Sequence, residues 1–201
     1  WGLFPRLAWD VFQLKKKEPG YRFKMRYLQN VVDDVFDLIG GGTSDKNSMT
    51  PERKPPGFYE HTWATEVELE SFEELLDVFR NAAPRKQVAP TQFNPSSTRG
   101  HVVVVFKIIT PSGSEGRFYV CDLAGSEKAA EVKHYTYSFD DDGDVLTSFP
   151  TPGVEGQQQT ESLKKQGIKI NQSLSEMSNI FNKLKKQISH GQKPTIVGES
   201  Y

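Results

Sequence analysis

One stretch constrains this chain more than any other: Asn94 to Glu127, which reads as polar loop, apolar strand, short turn, apolar strand, polar loop. The first strand is Val102-Val103-Val104-Val105-Phe106-Lys107-Ile108-Ile109 and the second Arg117-Phe118-Tyr119-Val120-Cys121, with Thr110 to Gly116 as the turn. β-Branched and aromatic runs bounded by Gly, Pro and Ser are strand signals, and so short a connection favours antiparallel pairing. A hairpin sets whatever precedes its first strand beside whatever follows its second. The spacing therefore predicts that Asn94-Pro95-Ser96-Ser97-Thr98-Arg99-Gly100-His101 lies next to Asp122-Leu123-Ala124-Gly125-Ser126-Glu127.

That juxtaposition gathers hydroxyls, an Arg, an Asp, a Gly and a Glu at one sheet edge. An Asp just past an apolar strand can hold Mg²⁺ through water, a Gly lets a backbone N–H approach a phosphate, and Ser or Thr hydroxyls can complete the metal shell. Arg99 and Glu127 carry opposite charges and are expected to latch the two loops together. Such a latch forms or breaks with whatever sits between its halves, as in a phosphate-sensing switch.

Composition bounds the rest. The 201 residues, 36% hydrophobic, suffice for one sizeable core or part of a larger one. A net charge of −1 gives no global basic field to draw nucleic acid. Cys121, the single cysteine, is expected in a buried strand and cannot form an intrachain disulfide, which fits a reducing compartment. No apolar run approaches the ~18 residues of a membrane span, and no signal-peptide pattern opens the chain. Trp1 in place of an initiator Met suggests a segment of a longer polypeptide.

Taken in order, Leu7, Val11 and Phe12 fall at helical spacing behind Pro5 in a first turn. Lys15 to Gly20 reads as an exposed turn. Tyr21 to Asn30 alternates Phe23, Met25 and Tyr27 with Arg22, Lys24 and Arg26, a half-buried strand. Val31 to Ile39 is expected as a short helix, with Asp33, Asp34 and Asp37 on a solvated face rather than in a metal site. Residues 40–57 read as a flexible surface insertion, and Gly40-Gly41-Gly42-Thr43 fails as a phosphate loop for want of a Gly-x-x-x-x-Gly-Lys-(Ser/Thr) pattern. Phe58 to Leu69 holds two short strand-like runs. Glu70 to Asn81 is expected as a helix with Ser71 as N-cap, Glu74 as capping-box partner, and Phe72, Leu75, Leu76 and Phe79 buried.

Residues 129–160 read as an expanded exposed loop carrying Asp140-Asp141-Asp142-Gly143-Asp144; a calcium loop does not fit, because Gly is misplaced and Thr151 stands where a bidentate Glu would fall. From about Thr160 to Ser189, Ile170, Leu174, Met177, Phe181, Leu184 and Ile188 alternate spacings of four and three, one helical apolar stripe. His61, His101, His134 and His190 are scattered without metal-ligand spacing, and His101 reads as a packing residue at a strand start.

Asn-x-x-Ser-Thr-Arg-x-His at Asn94–His101 and Asp-Leu-Ala-Gly-Ser-Glu at Asp122–Glu127, separated by a hairpin, resemble switch I and switch II of kinesin motor domains. Ile170-Asn171-Gln172-Ser173-Leu174 resembles the start of that family's microtubule-facing helix, and Gly2-Leu3-Phe4-Pro5-Arg6 the stretch that follows its phosphate-binding loop. The resemblance implies an α/β fold of the P-loop NTPase type: a mixed central sheet flanked by helices, incomplete at both ends. Residues 1–201 would then form one partial motor domain, with the 40–57 insertion, a 129–160 loop much longer than the family's, and the microtubule-facing helix at 161–189.

The implied reaction is Mg²⁺-dependent ATP hydrolysis coupled to microtubule binding, with Arg99, Glu127 and Ser97 in catalytic roles. Asn94, Ser97, Thr98, Asp122 and Gly125 would bind nucleotide, Thr98 and Asp122 would hold Mg²⁺ partly through water, and Lys164, Lys165, Lys183, Lys185 and Lys186 would face acidic tubulin. The acidic run is expected to weaken microtubule attachment. Thr98 replaces a family Ser and keeps its hydroxyl. Gly100 replaces another, loses a donor and is expected to loosen switch I. The resemblance further implies a cytoplasmic, cytoskeletal protein, the axoneme included, with no nucleic-acid partner and any dimer formed by regions outside this segment. An upstream phosphate-binding loop would make it an ATPase, this segment alone being inactive. Without that loop, the alternative is a non-motile microtubule-bound structural protein with vestigial switches. A GTPase is disfavoured because no Asn-Lys-x-Asp is present, and a generic α/β binding domain leaves the three ordered motifs unexplained.

Overall fold

Alternation in Arg22–Val31 organises the sheet, because residues of period two cannot all face one way. A computed structural model describes residues 2–32, 34–42, 52–54, 58–86, 100–126, 135–139, 145–150 and 152–192. In chain order the elements are α1 (Leu3–Lys17), β1 (Arg22–Val31), β2 (Asp34–Asp37), β3 (Glu52–Lys54), β4 (Phe58–Glu60), β5 (Val67–Leu69) and α2 (Phe72–Ala82). A 3₁₀ turn (Ala83–Arg85), β6 (His101–Ile109), β7 (Glu115–Asp122), β8 (Tyr135–Phe139), β9 (Val145–Pro150) and α3 (Gly153–Ser189) follow. The chain divides into two units, residues 1–88 with 98–124, and residues 89–97 with 125–201.

In the first unit the strands run β2-β1-β6-β7, and β5 shares with β2 the remaining edge of β1. Among the described residues every pairing of this sheet is antiparallel. One face buries Phe23, Met25 and Tyr27 of β1 with Val102, Val104 and Phe106 of β6. Phe4, Ala8 and Phe12 of α1 and Phe72 and Leu75 of α2 close over it. Ring pairs Phe12–Phe23 at 4.8 Å, Tyr27–Phe79 at 4.7 Å and Phe106–Phe118 at 5.0 Å knit the layers. Each contributes about 0.5–1.5 kcal/mol beyond its buried area.

The opposite face buries Leu28 with Val35 and Ala64 at one end and is charged at the other. Lys24 and Lys107 stand directly across from one another on β1 and β6, a destabilising pairing on its own. Glu66 resolves it, with Lys107 Nζ at 2.6 Å, Arg26 at 3.0 Å and Lys24 Nζ at 3.7 Å. Three cations around one carboxylate on a half-covered sheet face are far less screened than surface pairs.

Several expectations change here. Val31–Ile39 is not a helix: Val31 pairs with Asp34, so the chain reverses direction into β2. The alternation of exposed Asp34 with buried Val35, and of half-buried Phe36 with buried Asp37, is a strand period. Val32 sits at φ 59°, a costly conformation for a β-branched residue. Nor is Asp37 solvated. It is buried, and its carboxylate accepts from the N–H groups of Ile39 (2.9 Å), Gly40 (3.0 Å) and Thr65 (2.8 Å). Residues 52–54, read as part of a flexible insertion, pair with β4. On α1 the inward face is Phe4, Ala8 and Phe12, while Leu7 is exposed. Cys121 is exposed as well: it shares with exposed Tyr119 the face of β7 turned away from the core that Phe118 and Val120 pack against.

Ser71 caps α2 as its sequence predicts, accepting from the Glu74 N–H at 3.1 Å. Glu74 reciprocates one residue early, on the N–H of Glu70 at 2.8 Å.

In the second unit β8 and β9 form a hairpin, with Thr136 opposite Phe149 and Tyr137 opposite Ser148, and a register shift at Ser138/Phe139. The expected loop at 129–160 is thus partly strand and partly helix, since α3 begins at Gly153 and spans 37 residues. Along α3, Leu163 and Ile170 are buried, but Phe181 (66% exposed) and Ile188 (62%) are not. No helix among the described residues is long and apolar enough to cross a membrane.

Candidate functional site

The β6–β7 hairpin forms as its sequence predicts. Its turn is closed by Thr110 N–H to Ser114 carbonyl and Gly113 N–H to Thr110 carbonyl, both 2.9 Å, with Gly113 at φ 84° where a Cβ would strain the backbone. Eight cross-strand pairs follow, from Ile109 opposite Glu115 to Val102 opposite Asp122. This register delivers Gly100 and His101 to the same sheet edge as Asp122 and Ala124.

Two contacts fix that edge. The Ala124 N–H donates to His101 Nδ1 at 3.2 Å, joining the first residue of β6 to the loop that leaves β7. His101 is half-buried, and burial holds its pKa below the ordinary histidine value, which favours the neutral acceptor. Gly100 is buried against β1: a Cβ there would lie 2.4 Å from the Asn30 carbonyl oxygen and 2.8 Å from Val31 Cγ2. Only glycine fits here without moving the backbone of β1.

Asp122 is exposed at the end of β7. Burial raises the Tyr27 pKa, and the charge of Asp122 raises it further, which places the carboxylate within electrostatic reach of that phenol. An exposed hard-oxygen donor at a strand end suits a magnesium ion that keeps most of its water. Among the described residues no group of three or more His, Cys, Asp or Glu could hold a metal by protein ligands alone. Gly125 is exposed. Asn94, Ser97, Thr98, Arg99, Glu127 and the acidic run 140–144 lie outside the described residues.

Of the lysines predicted to meet a partner, Lys165, Lys183, Lys185 and Lys186 are exposed on α3. Lys164 is half-buried and paired with Glu161 at 2.9 Å, an interaction that holds the Glu161 carboxyl below its usual range. Reading the sequence alone missed the acceptor role of His101. The only local signal was a histidine opening a strand whose partner strand ends in a polar loop.

The family model for the kinesin motor domain matches residues 1–149. The chain therefore belongs to the kinesin motor domain family. It is 28% identical over 191 residues to the kinesin heavy chain of Syncephalastrum racemosum, covering 91% of this chain and 17% of that protein. It is likewise 28% identical over 193 residues to kinesin-like protein 3 of Schizosaccharomyces pombe, covering 91% and 29%. Among solved structures it is similar to KIF14 residues 391–772, a dimer in a two-heads-bound AMP-PNP state in complex with a microtubule. That likeness has a TM-score of 0.64 at 19% identity, and spans 98% of this chain and 52% of the other. The chain thus spans about half of the structural neighbour and under a third of these curated relatives.

Proposed function

We propose that this chain is the switch-bearing part of a microtubule motor domain, in which ATP hydrolysis is coupled to microtubule attachment. The observation that carries this reading is the hairpin register, which sets the residues flanking both loops on one edge. Asp122 would hold Mg²⁺ through water, with the hydroxyl of Thr98 completing the shell. The Gly125 N–H would meet the terminal phosphate, alongside Asn94 and Ser97. Bound nucleotide would supply the phosphoryl group for transfer to water, and positioning with charge stabilisation is most of what protein groups contribute to such a step. Arg99 and Glu127 would close over the attacking water. On α3, Lys165, Lys183, Lys185 and Lys186 would meet acidic tubulin, with Lys164 sharing its charge with Glu161. Exposed cations of this kind speed association more than they deepen affinity.

Charge reversal tests the latch in the full-length protein. Arg99→Glu and Glu127→Arg are each expected to abolish microtubule-stimulated ATP turnover while leaving the thermal unfolding midpoint unchanged. Turnover equal to wild type in either variant rules the latch out.

A further inference from the structure

We infer that His101 is a positioning residue that ties the root of the first loop to the root of the second, and that Gly100 sets the depth at which this strut is seated. The inference rests on the motor reading above and names the device that makes its two loops move together. Three observations converge on it. The Ala124 N–H donates to the ring at 3.2 Å, so the side chain of one loop root holds the backbone of the other. Ala124 is itself buried, so losing that acceptor would leave its amide desolvated. Gly100 lies so close to β1 that a Cβ would meet the Asn30 carbonyl oxygen at 2.4 Å, so the root of β6 sits at this depth only because no side chain is there.

The bond also fixes chemistry. With Nδ1 accepting, the imidazole proton resides on Nε2, and the ring is neutral. Asp122 and Ala124 are two residues apart, so a shift of the Ala124 amide is passed along one short piece of backbone to the carboxylate proposed to hold Mg²⁺. A movement that begins at either loop root therefore reaches the other through this hydrogen bond as well as through the β6–β7 ladder, without waiting for Arg99 and Glu127 to meet.

Amide hydrogen exchange at Ala124 in the full-length protein, with and without nucleotide, tests the strut directly. His101→Phe keeps a ring of similar size but removes the acceptor, and is expected to speed exchange at Ala124 by about fivefold or more. Asn can accept through Oδ1 near the Nδ1 position, so His101→Asn is expected to restore most of the protection. Gly100→Ser, which leaves His101 intact but cannot keep the present seat beside Asn30, is expected to speed the same amide. Microtubule-stimulated turnover should fall in His101→Phe and Gly100→Ser, and recover in His101→Asn.

Unchanged exchange at Ala124 in both His101→Phe and Gly100→Ser overturns the strut. Faster exchange with wild-type turnover overturns its coupling role. Exchange needs no turnover, so a wild-type protein that does not hydrolyse ATP would sink the motor reading while the strut is judged on exchange rates alone.

Discussion

The first unit and the long helix of the second use apolar residues in opposite ways. Around β1 and β6, Phe23, Met25 and Phe106 are wholly buried, and rings from two helices and three strands interlock above them. Along α3 an equally regular apolar stripe runs from buried Ile170 to Phe181 and Ile188, which are mostly exposed. Periodicity states which residues share a face, and says nothing of whether another element covers it. The sheet is a scaffold whose edge must hold its shape; the far end of α3 is surface.

Core truncation gives that contrast its largest test. Phe106→Ala removes a ring in contact with four others and is expected to cost about 3–5 kcal/mol, by cavity formation and lost packing. Phe181→Ala should stay within about 0.5 kcal/mol of wild type. Urea denaturation distinguishes them, and equal losses would mean that Phe181 is covered in solution.

A polar version of the same test is Asp37→Ala, expected to cost about 3 kcal/mol because three backbone N–H groups lose one charged acceptor. A cost below about 0.5 kcal/mol in the same titration would return Asp37 to the solvated role its sequence suggests. The smallest expected effect is on pH. Burial lowers the His101 pKa, so the folded protein holds that proton less readily than the unfolded chain. The resulting stability is complete above the ordinary value of 6.5 and is lost as pH falls through the lower folded value. The urea midpoint should therefore drop more steeply below pH 6.5 in wild type than in His101→Asn.

Much of the scaffold was legible because its signals are local. The β6–β7 pair is two largely apolar runs, the first interrupted only by Lys107, around a Pro-Ser-Gly-Ser turn, and the Ser71 cap lies three residues from its donor. Val31 to Asp37 misled because Val-Val-Asp-Asp-Val-Phe-Asp satisfies both a helical and a strand period, and only the pairing of β1 with β2 decides. The β8–β9 hairpin was hidden by the aspartates between its strands, and the early start of α3 by a Gln-rich turn without apolar period. Asp37 was misread because the assumed helix hid its local turn with the Ile39 and Gly40 N–H groups, and its third donor, Thr65, lies 28 residues away. The sheet edge divides the same way: the position of Asp122 at the end of β7 follows from the hairpin its sequence predicts, whereas the hydrogen bond from the Ala124 N–H to His101 exists only once the strands are in register.

Asp37 has one more consequence. Its backbone N–H donates to the Gly42 carbonyl at 2.7 Å and its side chain receives the Thr65 N–H, while Arg85 donates to the carbonyls of Leu38 and Ile39. The two ends of the excursion from Gly42 to Thr65 are thereby stapled at a single point, and whatever length of chain runs between them closes on a fixed base. Because closure entropy grows only slowly with length, this is where a fluorescent module or an affinity handle can be grafted with the least disturbance to the sheet.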